Sequence, residues 1–197
     1  MANPSTRPWL FMGLVFILAW LVYLAILGPK RPGGGRLAPP RLERALIAHQ
    51  ADFSWKLRDL NDQPVDLSKF RGRALFLNIW ATWCPPCVEE MPSIANLADN
   101  ARLKNVAFVC VSTDESIDQV RAFLRDKHWS MTILRASEVP EVFATSGIPA
   151  TFVIAPSGRI VTSELGAAQW DDPTVVDYLE ELSKKSVTPK KSGESDD

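Results

Sequence analysis

Only three cysteines and two histidines occur in this chain of 197 residues, and that scarcity excludes two architectures. Three thiols cannot build a disulfide framework, and Cys84 and Cys87 stand too close together to staple distant elements. A structural zinc site needs four ligands; with Cys110 inside an apolar run, Cys84, Cys87, His49 and His128 make an inadequate set. Charge of one sign is also missing. The net charge is −1 and the Lys and Arg residues are scattered, so nothing points to nucleic acid or to an acidic substrate. His49 has no adjoining partner residue and reads as a solvated or capping side chain.

One long hydrophobic run is present. Residues 9–27 are apolar or Gly throughout, and as a helix they would span roughly 28 Å, the thickness of a bilayer's hydrocarbon core. No A-x-A site and no lipobox cysteine follows, so the run reads as an uncleaved transmembrane anchor behind a tail at residues 1–8. Aromatics near its ends, Trp9 and Phe11, then Trp20 and Tyr23, partly fit an interfacial belt. Residues 28–51 form a linker, rich in Pro and Gly up to Pro40, with Leu42, Ala45, Leu46 and Ile47 able to make a short amphipathic helix. Lys30, Arg31, Arg36, Arg41 and Arg44 follow the run and only Arg7 precedes it, so the positive-inside rule alone turns the domain toward the cytoplasm. Residues 184–197 are polar, a tail without an apolar face.

Between these ends, residues 52–183 alternate strand and helix patterns and predict one α/β domain. Residues 53–57 and 65–67 read as a hairpin. Residues 74–80 and 106–111 are unbroken apolar runs, as central strands covered on both faces should be. A helix follows the cysteines with Val88, Met91, Ile94, Ala95 and Ala98 inward, and Pro92 predicts a kink or break in it. Ser116 and Gln119 fit a capping box. Residues 131–134 read as a strand, 138–144 as a short helix, 151–164 as a second hairpin, and Pro173 as the first turn of a last helix.

The chemistry centres on Trp83-Cys84-Pro85-Pro86-Cys87. Cys84 at a helix start is favoured as thiolate by unpaired N–H groups and the positive end of the helix dipole. Cys87, one turn on, is placed to attack the Cys84 sulfur in a mixed disulfide. Two thiolates could instead hold Cu(I), with Met91 or His128, as a metal-delivery module. A thiol peroxidase is a further alternative, but no Thr-x-x-Cys pattern accompanies the pair. Cys110 sits among apolar residues and reads as an inert buried thiol. Far along the chain, Ile148-Pro149 stands directly before a strand, where a cis bond is plausible.

With residues 78–87, Pro92 five residues after Cys87, residues 147–152 and the hairpin near Phe53, the chain resembles the thioredoxin superfamily, and more closely its membrane-anchored TlpA/ResA-like branch. The resemblance implies a thioredoxin-like fold: a central mixed sheet flanked by helices, with an extra N-terminal β-hairpin, after a single N-terminal transmembrane helix. It implies that Pro149 is cis and lies beside the cysteines, and that Ile148, Pro149 and Pro86 meet the substrate. Trp83 would flank the pair. It implies an extracytoplasmic protein-disulfide reductase with no small-molecule cofactor, a protein substrate bearing a disulfide or cysteine pair, and an upstream membrane electron donor. Cytochrome c maturation is one common task of this branch. Where thioredoxins carry a buried Asp, this chain has Asn78, which cannot accept the proton. Glu90 matches a Glu near the active site of ResA-like members, which implies proton handling there.

Overall fold

A computed structural model describes residues 12–20, 37–42 and 49–185. The chain divides into two units, residues 1–36 and 37–197. In the first, residues 12–20 are helical with exposed side chains. The rest of the run at 9–27 lies outside the described residues, among which no helix is long and apolar enough to cross a membrane. The amphipathic helix expected near Leu42 to Ile47 falls on residues 43–48, also outside them, as does the tail beyond 185.

The second unit is built on one seven-stranded mixed sheet. Its strands are β1 (Lys56–Arg58), β2 (Pro64–Asp66), β3 (Ala74–Trp80), β4 (Val106–Ser112), β5 (Thr132–Arg135), β6 (Ala150–Ile154) and β7 (Ile160–Leu165), in spatial order β2-β1-β5-β4-β3-β6-β7. β3, β4 and β5 are parallel, and the other pairings are antiparallel. The helices are α1 (Pro85–Ala98), α2 (Ile117–Leu124) and α3 (Pro173–Lys184).

β3 shows why its sequence is apolar without alternation. Phe76 and Trp80 pack into one core cluster with Met91 and Ile94 of α1, Val120 of α2 and Leu179 of α3. Leu75, Leu77 and Ile79, pointing the other way along the pleat, pack with Phe53, Trp55, Leu67 and Phe143. Both faces are therefore dry, and a polar side chain in β3 is costly to bury without a partner. Asn78 is the one residue of β3 that is polar throughout its side-chain end, and its amide has two acceptors.

The local chemistry follows the sequence closely at the caps. Ser116 and Gln119 form the capping box of α2, and Asp172 caps α3 ahead of Pro173. Between β6 and β7, Gly158 holds φ +86° in the turn, and a Cβ there would lie 3.1 Å from Gln50 Oε1. Three expectations shift. α1 runs unbroken through Pro92, which sits on its exposed side. The segment at 138–144 makes only a single 3-10 turn, Glu141–Phe143, behind Pro140. The N-terminal chain engages the domain before residue 52: Ala38 O accepts from Gln169 N–H, His49 O from Ile160 N–H, and Ala51 N–H donates to Gly158 O.

Candidate active site

β3 runs between β4 and β6 and ends at Trp80, and the turn at Ala81 to Trp83 brings the chain to Cys84, the N-cap of α1. Cys84 is extended (φ −95°, ψ 103°), and its sulfur accepts the Cys87 N–H at 3.3 Å. Pro85 and Pro86 fill the first helical turn, where a missing N–H removes no helix bond. The structure joins Cys84 and Cys87 in a disulfide. Cys84 keeps 4% of its surface open to solvent and Cys87 none, so an incoming thiol or disulfide can meet only the first sulfur. Trp83 beside them is 64% exposed, a large apolar surface at the mouth of the site.

The Ile148–Pro149 peptide bond is cis. It places the Ile148 carbonyl oxygen 3.7 Å from Cys84 Sγ. Pro149 itself is buried and its carbonyl already accepts from Gly166 N–H at 2.9 Å. What this loop can offer an incoming chain is Ile148, which is half-buried, together with exposed Pro86 across the cysteines.

Glu90 lies one turn of α1 beyond Cys87, on the same face. It is fully buried, although its position in an acidic Glu89-Glu90 pair resembles a solvated helix surface. Three donors hold its carboxylate: Asn78 Nδ2 at 2.8 Å, Ala168 N–H at 3.1 Å and Trp170 Nε1 at 2.9 Å. Burial outweighs these bonds and, with the negative charge of Glu164 nearby, pushes the Glu90 carboxyl up to about 7. Asn78 donates its second amide hydrogen to Thr151 Oγ1 at 2.9 Å, and its acceptor oxygen Oδ1 has no partner among the described residues.

Three contributors carry no local signature of the site: Trp170, Ser93 and Asp114. Ser93 stands one turn past Glu90 in α1, and Trp170 meets both from 77 and 80 positions away, so only the packing of α3's approach against α1 brings them together. Asp114, 1% exposed, accepts from Thr82 N–H at 2.9 Å, Thr82 Oγ1 at 2.6 Å and Ser112 Oγ at 2.6 Å. It ties the loop that carries Cys84 to the end of β4. A Ser-x-Asp directly after a buried strand was the signal available for it.

Cys110 is completely buried in β4, with its sulfur 3.6 Å from Met131 Sδ. Desolvation, reinforced by the charge of Glu90, raises its thiol far above the working range, so it stays neutral. His49 and His128 are exposed. Among the described residues no group of three or more His, Cys, Asp and Glu is placed to hold a metal.

Comparison with known proteins identifies the family. The Redoxin family matches residues 49–182. The thiol-disulfide oxidoreductase ResA of Bacillus subtilis (strain 168) is 30% identical over 125 residues, which is 62% of this chain and 69% of that one. ResA of Bacillus thuringiensis subsp. konkukian is 30% identical over 133 residues, 66% of this chain and 73% of that one. Among solved structures, a thiol:disulfide interchange protein of the thioredoxin family from Chlorobium tepidum TLS superposes with a TM-score of 0.57. It is 23% identical and covers 69% of this chain and 99% of its own.

Proposed function

The chain belongs to the Redoxin family as a ResA/TlpA-like thiol-disulfide oxidoreductase, and from that premise we propose that it reduces disulfides of extracytoplasmic proteins while anchored to a membrane. The observation that carries the reading is the unequal exposure of the two sulfurs: Cys84 opens at the helix N-cap beside Ile148, and Cys87 is sealed behind it.

The sequence of steps follows from that asymmetry. In the reduced protein the Cys84 thiolate, stabilised by the Cys87 N–H, attacks one sulfur of a target disulfide. A mixed disulfide forms, and the second target sulfur leaves as a thiolate that takes a proton from solvent. Cys87 then loses its proton toward Glu90, attacks Cys84 Sγ and displaces the first target sulfur. The target gains two electrons, and the Cys84–Cys87 disulfide is left behind. With its carboxyl near 7, Glu90 can accept that proton and return it, whereas Asn78 holds Glu90 in place without titrating. Trp83, Pro86 and Ile148 form the apolar mouth that receives the target, and Pro149 fixes the wall behind them. A membrane thiol-disulfide donor restores the dithiol.

The hydrophobic run at 9–27 supports the anchor, and the branch's habit of working outside the cytoplasm supports an outward-facing domain, against the cluster of basic residues that follows the run. Haem-attachment cysteines of apocytochrome c are one such target. Reporter fusions at the C-terminus test the topology: periplasm-active fusions support it, and cytoplasm-active ones overturn it. The activity is tested with Cys87→Ser in the native host, which should accumulate a mixed disulfide at Cys84. If Cys84 stays alkylatable and no partner is trapped, the reductase assignment is wrong.

A further inference from the structure

Residues 166–170, which join β7 to α3, bond three regions that the sequence keeps far apart. Gly166 N–H donates to Pro149 O at 2.9 Å, and Gln169 N–H donates to Ala38 O at 2.8 Å. Ala168 N–H and Trp170 Nε1 both donate to Glu90 Oε2, at 3.1 and 2.9 Å. Ser93, one turn past Glu90, locks the arrangement: its Oγ accepts from Trp170 N–H at 3.1 Å and donates to Glu90 O at 2.8 Å. The Trp170 ring is held in turn by an edge contact with Phe76, centroids 4.9 Å apart. On its other side the loop receives the strap at residues 37–42, where Pro40 is buried and Leu42 packs against the helix-side core.

We propose that residues 166–170 act as a positioning clamp, through which docking of the strap at residues 37–42 governs the Glu90 carboxyl. The clamp is read from the geometry alone; what Glu90 does in exchange rests on the function proposed above. A carboxylate accepts two bonds at Oε2 more strongly than a neutral carboxyl does, so ionisation of Glu90 and closure of the loop favour each other. Such coupling is reciprocal: whatever frees the strap must also change the proton affinity of Glu90.

The groups facing Glu90 make the effect separable. Asn78 of β3 donates to Oε1, Glu164 of β7 adds negative charge, Cys110 of β4 is a neutral buried thiol, and Cys87 precedes it in α1. None of them belongs to the strap, whose own charged residue, Arg41, is exposed. A change in Glu90 on releasing the strap therefore reports the clamp.

The test uses the full chain, oxidised, in detergent micelles, with the Glu90 carboxyl followed by carbon-13 NMR across pH. Trp170→Phe keeps the ring contact and removes the donor; the midpoint should rise by about one pH unit, as expected when a carboxylate loses a buried hydrogen bond. Ser93→Ala, which releases the Trp170 amide, should move it the same way and serves if the first variant does not fold. Leu42→Asn should speed amide exchange across residues 37–42 and also raise the midpoint. In the wild type, corrected exchange at the Gln169 amide should slow as pH rises through the titration, and Glu90→Gln should abolish that step. A midpoint unmoved by Trp170→Phe or Ser93→Ala overturns the clamp. So does a freed strap with an unmoved midpoint. Neither readout uses disulfide exchange, so failure here is distinct from failure of the proposed reductase activity.

Discussion

The Trp170 indole N–H meets the Glu90 carboxylate at 2.9 Å, and neither residue has any exposed surface. Among the described residues no lysine or arginine pairs with Glu90. The group is thus held by three donors and no cation. Donors favour the charged form and burial disfavours it; burial is the larger effect, and the carboxyl settles where it can exchange a proton near neutral pH. A cation in place of Trp170 would have fixed the charge and removed that capacity.

Stability should therefore depend on Glu90. Its folded value, about 7, is raised above its ordinary 4.5, so the folded protein binds the proton more tightly than the unfolded chain does. The favourable contribution is full below pH 4.5, declines as pH rises toward 7 and is gone above it. Urea unfolding of the oxidised protein should show a loss of up to about 3 kcal/mol across that window, and Glu90→Gln should flatten it. An equally steep profile in the variant would place the titration elsewhere.

Trp83 should separate binding from folding. Its side chain is 64% exposed, so Trp83→Ala should change stability by no more than about 0.5 kcal/mol. As an apolar anchor at the mouth it should matter to a protein partner, with kcat/KM for a protein disulfide falling about tenfold or more. Reduction of a small disulfide such as oxidised glutathione should fall far less. Equal losses on both substrates would argue against a docking role.

The parts legible in the sequence were those with a local signature. Continuous apolar runs predicted β3 and β4, a capping box predicted α2, and the spacing of two thiols around two prolines predicted a helix N-cap. The inward face of α1 is legible only in part: Met91, Ile94 and Ala95 are buried as their periodicity predicts. The family resemblance alone points to Glu90, since periodicity counts apolar residues and passes over both Glu90 and Ser93, which are polar and buried. They are admitted by donors and acceptors from residues 168–170, a long-range match that no window of sequence contains. Asp114 was missed for the same reason: its partner Thr82 lies 32 positions away.

Asn78 tests how the site differs from one with a buried acid at that position. It stands 2.8 Å from Glu90 as a donor, so Asn78→Asp replaces that bond with a second carboxyl. Two carboxyls at this distance share one proton, and the second can leave only at a much higher pH. The variant should lose stability steeply between about pH 8 and 9.5, where the wild type has levelled off. Thermal unfolding at those two values checks it; a smaller drop than in the wild type would contradict the arrangement.

Asp114 should control the geometry of Cys84 from a distance. Its carboxylate accepts both the N–H and the hydroxyl of Thr82, two residues ahead of the nucleophile, and Ser112 besides. In Asp114→Ala these donors lose their buried acceptor, which should cost about 1–3 kcal/mol in urea unfolding. The freed loop would also let Cys84 drift from the Cys87 N–H and from Ile148, so exchange with a disulfide peptide should slow by about tenfold or more. Asp114→Asn keeps the shape and one acceptor oxygen, but its amide hydrogens face donors. It should fall between the two in both measurements. Full exchange rate in a destabilised Asp114→Ala would mean that Asp114 secures the fold without positioning the thiol.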